Sequence, residues 1–296
     1  MFDLLSLADT RTVVLDGAMG TELQRAGLGL GECGTAWNLD YPERLAAIHA
    51  AYVEAGCDAV ITNSFGANKW VLGRYGLGGE VEAANRASAR IARGAARDGV
   101  CVLGDVGPCG GLLRPLGAID PGELLDEFTR QAGALVGGGV DGIIVETMSA
   151  IEEATIAIRA ARAAGAPFVI ASMAFDRLPN GRLRTMMGVS PEQFAQAALA
   201  EGADAVGANC GTSMTTADFA GVVEAFRQVT DRPVAVQANA GTPELVDGQA
   251  VYRLSPEALA EGMRAVVAAG ASLVGGCCGT TPAHIAALAR LLKREA

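Results

Sequence analysis

The chain has 296 residues, of which half are hydrophobic, and its formal net charge is −10 at pH 7. That length allows two average domains or one large α/β barrel, and the acidic balance argues against nucleic acid and anionic membrane surfaces as partners. Seven cysteines without the pattern of a small disulfide-stapled domain indicate a reducing compartment, and the first residues carry acid where a signal peptide carries base. We therefore expect a cytoplasmic protein that does not insert into a membrane.

Eight apolar runs rich in β-branched residues recur along the chain, each followed by glycine or polar residues and then by an alanine-rich stretch. The runs occupy residues 12–15, 59–62, 100–103, 142–145, 168–171, 205–208, 233–236 and 272–275. Continuous apolar runs separated by helices are typical of a parallel sheet buried on both faces. Eight such units predict a single-domain (β/α)8 TIM barrel over residues 1–296, with a doubly wound open sheet as the alternative.

The intervening stretches carry the signals of surface helices. Residues 42–53 and 149–164 place apolar side chains at helical spacing. Near the end of the chain, Thr281 is a good N-cap and Pro282 suits the first helical position, so we expect the last helix to begin there.

Catalytic groups of a TIM barrel lie at the carboxyl ends of its strands. Polar residues and thiols follow most of the predicted strands, and we expect them to meet on one rim. They are Asp16 to Met19, Thr62 to Ser64, Asp105, Glu146, Cys210, Asn239, and Cys277 with Cys278.

The thiols at these strand ends predict a metal site. Cys210 follows the sixth strand and Cys277 and Cys278 the eighth, and only one strand separates the two in a closed barrel. Zn²⁺ prefers tetrahedral N/S coordination and has three protein ligands when it is catalytic. Three thiolates and one Zn²⁺ sum to a charge of −1, which suits holding a substrate thiol as an electron-rich nucleophile better than activating water. Sulfur–alkyl transfer is therefore favoured over hydrolysis.

Other interpretations of the cysteines stay open. A vicinal Cys277–Cys278 disulfide would be strained and reducible, as in a redox device. A structural zinc site would need a fourth protein ligand, and the nearest histidine, His284, is expected on the face of the last helix. The other four cysteines are predicted to be small buried hydrophobes; they are Cys33, Cys57, Cys101 and Cys109.

The acids Asp16 and Glu146 are candidates for binding a cationic amine, although carboxylates after strands also cap loops. Free backbone N–H groups of the turn formed by Gly17, Ala18 and Met19 could bind a carboxylate. Amine, carboxylate and thiol recognition together describe a sulfur amino acid.

The motifs that contain these residues resemble those of the homocysteine S-methyltransferase family, nearly from end to end. They are residues 16–24, 62–65, 145–148, 207–211 and 275–282. The resemblance implies a (β/α)8 barrel that holds one zinc ion per chain on Cys210, Cys277 and Cys278. It also implies that the following residues surround the amino-acid group of homocysteine: Asp16, Gly17, Ala18, Met19, Thr62, Ser64 and Glu146.

Residues 237–243 and 246–252 resemble the homocysteine-binding module of cobalamin-dependent methionine synthases, which implies that Asn239 lies near the zinc. The betaine-dependent branch has a tyrosine near the metal after the second strand, where this chain has Gly66. The sequence contains no second barrel and no cobalamin-binding histidine motif.

The resemblance therefore implies one of two methyl donors. The first is a methylcobalamin and methyltetrahydrofolate system on separate chains, with a corrinoid protein as partner. The second is a free donor such as betaine or S-methylmethionine.

From these features we expect a zinc-dependent S-methyltransferase that converts homocysteine to methionine. A non-catalytic subunit that binds homocysteine or a corrinoid protein, and a redox protein using Cys277 and Cys278, are the alternatives from other classes. Another thiol or a selenol as acceptor would preserve the zinc chemistry.

Overall fold

Eight parallel strands form one sheet in which neighbours follow chain order. The computed structural model describes residues 4–246 and 249–293. The strands are β1 (Val13–Val14), β2 (Ala59–Ile61), β3 (Cys101–Val106), β4 (Gly142–Met148), β5 (Val169–Met173), β6 (Ala205–Cys210), β7 (Val234–Ala238) and β8 (Leu273–Gly276). The sheet begins at β1, passes to β8 and then runs down in order to β2, and a parallel bridge between Leu15 and Ala59 brings β1 beside β2. The predicted single-domain (β/α)8 barrel is confirmed, and the open doubly wound sheet is wrong.

The connections between strands contain helices and two antiparallel hairpins. The helices are α1 (Leu4–Ala8), α2 (Gly20–Arg25), α3 (Trp37–Asp40), α4 (Pro42–Glu54), α5 (Lys69–Gly73), α6 (Val81–Ala95), α7 (Pro121–Gly138), α8 (Ile151–Ala163), α9 (Pro191–Ala200), α10 (Thr216–Arg227), α11 (Pro256–Ala268) and α12 (Pro282–Leu292), with a 3-10 turn at Gly34–Ala36. The first hairpin (Asp176–Arg177 with Leu183–Arg184) follows β5, and the second hairpin (Glu244–Val246 with Gln249–Val251) follows β7. Asp247 and Gly248, in the segment that resembles methionine synthases, lie outside the described residues.

Apolar side chains form two separate buried clusters. The smaller cluster takes alternate residues of the strands, such as Leu15, Leu103 and Ile170, together with Leu4 of α1, and it fills the barrel interior. The larger cluster takes the residues in between, such as Val14 and Val102, and packs them against the helices. Among the helices of the described residues, none combines the length and hydrophobicity that crossing a bilayer requires.

Three strands extend further than the sequence predicted. The apolar runs end at residues 103, 145 and 208, but β3, β4 and β6 continue to Val106, Met148 and Cys210. Asp105, Glu146 and Cys210 therefore lie on strands rather than after them. The pairing of β4 with β5 shifts register between Val145 and Met148, so the backbone of Glu146 is displaced from the regular ladder.

At the opposite end of the barrel, a Gly-x-Asp sequence repeats before β2, β4 and β6. The glycines, Gly56, Gly139 and Gly202, all have φ above +90° and follow helices, as helix-terminating glycines commonly do. Each aspartate accepts the N–H of the preceding strand and pairs with an arginine. The bonded sets are Asp58 with Val14 and Arg11, Asp141 with Val102 and Arg93, and Asp204 with Val169 and Arg162. The repeated aspartate thus fastens neighbouring strands at the amino-terminal face.

Asp58 also accepts a hydrogen bond of 2.7 Å from Lys293. Burial acts to raise the pKa of Asp58, but the hydrogen bonds from Arg11 and Lys293 outweigh it and hold the pKa below its usual range. Because the folded pKa lies below the unfolded one, this stabilisation is present above about pH 4 and disappears as the pH falls through the folded value.

We expect Asp58→Asn to lower the free energy of unfolding at pH 7 by about 2 kcal/mol, the scale of hydrogen bonds to a charged group. The deficit should shrink as the pH falls below about 4, where the wild-type carboxylate also becomes neutral. Urea denaturation at several pH values measures it. Asp98→Asn, an exposed change before β3, is the control and should alter stability little. A deficit that stays constant with pH would contradict the charge-based explanation.

Candidate active site

A cavity of about 680 Å³ opens at the carboxyl ends of the strands. Its wall combines polar groups at the strand ends with apolar residues of the loops after β1 and β2. The polar part includes Thr62, Asp105, Glu146, Gln237 and the three cysteines predicted to bind metal, and the apolar part includes Met19, Leu28, Leu30, Phe65, Val71 and Tyr75. The carboxyl groups and the thiols thus share one cavity with apolar side chains.

The sulfur atoms of Cys210, Cys277 and Cys278 all lie within 4.8 Å of one another, and those of Cys277 and Cys278 are 4.0 Å apart. A tetrahedral zinc site with Zn–S bonds of about 2.3 Å separates its sulfurs by about 3.8 Å. Within residues 4–246 and 249–293, this is the one group of three His, Cys, Asp or Glu donors close enough to share a metal ion. The predicted ligands are therefore brought together in a geometry that fits zinc.

The three thiols share their charge unequally. Hydrogen bonds from Cys210 and Cys277 lower the pKa of Cys278 to about 3, and hydrogen bonding to Cys210 and Cys278 raises the pKa of Cys277 well above its usual range. Tyr252, which follows the second hairpin, also donates to Cys278. All three are free thiols, and the distance between Cys277 and Cys278 is about twice a disulfide bond.

Cys210 is held in an unusual backbone conformation. Its φ is +60°, in the left-handed region, where a non-glycine residue costs on the order of 1–3 kcal/mol. Asn239 donates a 2.8 Å hydrogen bond to the carbonyl of the next residue, Gly211, and Asp176 of the first hairpin accepts the N–H groups of Thr212 and Ser213. The loop after β6 is thus fixed from two sides.

His284 is not placed to bind the metal. Its Nδ1 accepts the N–H of Thr281, which leaves the proton on Nε2, 2.9 Å from the carbonyl of Leu254. The residue lies in the first turn of α12, which begins at Pro282 with Thr281 as N-cap, as predicted. Its imidazole therefore caps α12 and joins it to the segment before α11.

Three buried carboxyl groups, Asp16, Asp105 and Glu146, meet beneath the cavity. Asp16 Oδ2 accepts the N–H of Ile61 at 2.8 Å, and Glu146 bonds the side chain of Gln237. One oxygen of each acid (Asp16 Oδ1, Asp105 Oδ1 and Glu146 Oε2) is buried without any hydrogen-bond donor among the described residues. Buried polar atoms are rarely left unpaired, so the unpaired oxygen of each acid is a candidate acceptor for a ligand's donors.

Burial is the main cause that raises the pKa of all three acids, and a neighbouring negative charge adds to it in each case. For Glu146 the pKa rises to about 7, with the nearby charge of Cys278 as the second cause. The pKa values of Asp105 and Asp16 are raised well above the usual range, and the charge of Glu146 contributes to both. A bound cation would relieve this repulsion and favour the ionised forms.

Thr62 and Ser64, predicted to surround the substrate, use their hydroxyl groups in hydrogen bonds with the backbone of Asp105. Thr62 Oγ1 accepts the Asp105 N–H at 2.9 Å, and Ser64 Oγ donates to the Asp105 carbonyl at 2.8 Å. Thr62 lines the cavity, whereas Ser64, Asp16 and Asn239 lie behind its wall. The two hydroxyl groups therefore position Asp105.

The turn after β1 lies against the loop after β8. Thr280 Oγ1 accepts the N–H of Ala18 at 3.0 Å and donates to the carbonyl of Cys277 at 2.7 Å. A Cβ at Gly17 would lie 2.7 Å from Thr280 Oγ1, so this close approach requires glycine. Within the described residues the N–H groups of Gly17 and Met19 donate no hydrogen bond, and both residues line the cavity.

Comparison with known proteins identifies the family. The family model described as homocysteine S-methyltransferase matches residues 13–292. The chain belongs to the homocysteine S-methyltransferase family. The resemblance seen in the motifs is confirmed.

Two kinds of relative illustrate the range of the family. The methionine synthase of Mycobacterium tuberculosis is 36% identical over 99% of this chain, and that of Mycobacterium leprae is 35% identical over the same share. The chain spans about a quarter of the length of these curated relatives, 26% and 25%. The metallated crystal structure of the homocysteine methyltransferase MmuM from Escherichia coli matches with a TM-score of 0.78 and 26% identity, covering 96% of this chain and 98% of that one.

The structure also places residues that the family motifs alone did not single out. Asp105, Gln237 and Tyr252 line the cavity. Gln237 lies beside Glu146, and Tyr252 lies beside Cys278. The position of Asp105 at a strand end was a usable signal in the sequence. Tyr252 ends the segment that resembles methionine synthases, but its position beside Cys278 depends on the course of the second hairpin.

One cysteine prediction is wrong. Cys57, Cys101 and Cys109 are buried as expected, but Cys33 is half-buried and lines the cavity. It lies in the loop before the 3-10 turn at Gly34–Ala36, where no strand or helix packs it into the core.

We expect Thr280→Val to destabilise the protein by about 1–3 kcal/mol, because the buried Ala18 N–H loses its acceptor. Thr280→Ser, which keeps the hydroxyl, is the matched control and should stay within about 1 kcal/mol of the wild type, apart from the lost methyl group. Urea denaturation of the three proteins measures the difference. Equal stability of the valine and serine variants would show that the hydrogen bond contributes nothing.

Proposed function

We propose that this protein is a zinc-dependent S-methyltransferase that methylates the thiol of homocysteine to form methionine. One observation carries the proposal: three clustered thiols and the carboxyl groups of Asp105 and Glu146 line the same cavity, in a chain of the homocysteine S-methyltransferase family. A soft-metal site and an ammonium site side by side match the two ends of an amino thiol. The seven free cysteines support a reducing, cytoplasmic setting.

Cys210, Cys277 and Cys278 would hold one zinc ion, since their sulfur spacing fits tetrahedral coordination. Bound zinc supplies a fourth coordination position in which a substrate thiol stays deprotonated at neutral pH. Asn239 supports the fit, because its amide nitrogen is bonded to Gly211 while its Oδ1 is buried and unpaired. No strong general base is required of the protein.

Glu146, Asp105 and Asp16 would bind the ammonium group of homocysteine. An ammonium carries three N–H donors and a positive charge. Glu146 and Asp105 line the cavity, Asp16 lies behind its wall, and each has an unpaired oxygen in a carboxyl group whose ionisation a cation would favour. The free N–H groups of Gly17 and Met19 would bind the carboxylate, while the N–H of Ala18 is already bonded to Thr280.

With both ends bound, the substrate sulfur would lie at the thiol cluster, which lines the same open cavity through which a methyl donor can enter. A bond forms between this sulfur and the methyl carbon, and the bond from the carbon to the donor breaks, with its electron pair staying on the donor. Positioning by the chain contributes because it replaces a collision of free reactants.

The methyl donor that we propose is a methylcobalamin and methyltetrahydrofolate system on separate chains, with methylcobalamin presented by a corrinoid protein. The 36% identity to methionine synthase supports it. A self-sufficient enzyme using betaine or S-methylmethionine is the second candidate, supported by the nearly full-length match to MmuM. A Cβ at Gly66 would lie 2.9 Å from Val71 Cγ1, so a larger side chain there would require Val71 to move.

Methionine formation from homocysteine, measured separately with methylcobalamin, betaine and S-methylmethionine, tests the proposal. We expect turnover with methylcobalamin and loss of both zinc and turnover in Cys277→Ser, because one of three ligands is removed. Cys101→Ser, a buried cysteine far from the cavity, is the control and should keep its zinc. Full activity of a zinc-free Cys277→Ser protein would refute the metal mechanism, and homocysteine binding without turnover on any donor would favour a non-catalytic subunit.

We expect Glu146→Gln and Asp105→Asn to raise the KM for homocysteine by about 10-fold or more, the scale of a lost charged hydrogen bond. Zinc content should not change. The effect should be absent with 4-mercaptobutyrate, which is homocysteine without its amino group. Glu152→Gln, an exposed change on α8, serves as the control. An equal loss with both acceptors would mean that these acids do not bind the amine.

A further inference from the structure

Two strained residues stand on either side of β5. In the part of the chain that the structure describes, Thr147 and Cys210 are the two non-glycine residues with positive φ, both +60°. Thr147 follows Glu146, which we assign to the ammonium, and Cys210 is a metal ligand. The backbone is thus distorted at both ends of the proposed acceptor site.

A single buried side chain, that of Asn209, connects the two distortions. Its Oδ1 accepts the Thr147 N–H at 3.0 Å and the Ser172 hydroxyl at 2.8 Å, and its Nδ2 donates to Thr147 Oγ1 at 2.6 Å. Asn209 is fully buried, and Ser172 is 1% exposed. One amide therefore joins the ends of β4, β5 and β6.

The register shift explains why β4 needs this amide. Between Val145 and Met148 the ladder to β5 is interrupted, so the Thr147 N–H has no partner on the neighbouring strand. Asn209 supplies the missing acceptor and fixes the bulge that presents Glu146. Because Asn209 directly precedes Cys210, the same contact fixes where β6 delivers its thiol.

The other contacts of the loop after β6 do not reach β4. Asn239 bonds Gly211, and Asp176 bonds Thr212 and Ser213, so both hold the metal-binding loop alone. Of these three polar side chains, Asn209 is the one bonded to the strand of Glu146.

We propose that Asn209 is a positioning residue that sets the distance between the ammonium-binding and thiol-binding ends of the site, and thereby the chain length of the amino thiol that is accepted. The proposal rests on the proposed function, in which Glu146 binds the amine and Cys210 helps to hold the metal. With the distance fixed, an acceptor one methylene shorter than homocysteine cannot reach both ends together. If the hydrogen bonds of Asn209 are lost, kcat/KM should therefore fall more for homocysteine than for cysteine, its shorter homologue.

The test compares homocysteine and cysteine as acceptors in Asn209→Ala and wild-type protein, with the donor that supports turnover. We expect kcat/KM for homocysteine to fall about 100-fold, the scale of a misplacement of about 1 Å. The kcat/KM for cysteine should fall much less, so that the ratio of kcat/KM for homocysteine to kcat/KM for cysteine decreases at least about fivefold. Zinc affinity, measured by competition with a chelator, should weaken about 10-fold, as for other changes to groups that orient a ligand.

Asn85→Ala is the matched control, because Asn85 is also fully buried and makes two hydrogen bonds, to the carbonyls of Ala67 in the loop after β2 and of Val81 at the start of α6. A merely structural role would lower the rate with both acceptors by the same factor, as we expect for this control. An unchanged preference in Asn209→Ala would overturn the proposal. If that variant does not fold, Ser172→Ala, which removes one of the three bonds, must narrow the preference in the same direction.

Failure of the proposed function gives a different result. Wild-type protein would then turn over neither acceptor, and the zinc affinity alone would decide the role of Asn209. In that case, the proposed role of Asn209 would be overturned if Asn209→Ala retained zinc as well as Asn85→Ala does.

Discussion

The concentration of like charge at the carboxyl ends of the strands is the constraint on which the site depends. Three thiols and three carboxyl groups are buried around one cavity, and each ionisation there opposes the next. In the proposed function, two cations would relieve this repulsion: a metal ion among the thiols and an ammonium among the acids. A ligand with a positive end and a sulfur end would therefore stabilise this part of the structure.

Such a site requires a backbone that regular strands do not provide. Thr147 and Cys210 occupy the left-handed region, and β4 breaks its ladder beside Glu146. Each distortion costs free energy, so it persists only where surrounding bonds determine it. Asn209, Asn239 and Asp176 supply these bonds from three directions. The polar residues around the site thus hold geometry, whereas the thiols and acids provide the chemistry.

The sequence was sufficient for the barrel because eight apolar runs with helical stretches between them admit few folds, and barrel closure brings the sixth and eighth strands within one strand of each other. The clustering of Cys210 with Cys277 and Cys278 followed from that topology alone. Roles that depend on the direction in which a side chain points could not be predicted from the sequence. The hydroxyl groups of Thr62 and Ser64 bond the backbone of Asp105, although Thr62 also lines the cavity, and Cys33 lies on the cavity wall because of the course of its loop. Neither periodicity nor motif spacing encodes such directions.

Carboxylates at the two ends of the barrel differ in whether their oxygens have hydrogen-bond donors. At the amino-terminal face, Asp58, Asp141 and Asp204 each bond a strand N–H and an arginine, so their charge is compensated and fastens neighbouring strands. At the carboxyl-terminal face, Asp16, Asp105 and Glu146 each keep an oxygen without a donor. An unpaired buried acceptor costs stability, whereas the paired acids at the amino-terminal face stabilise the fold. The same residue type thus stabilises the fold at one face and is left free to bind at the other.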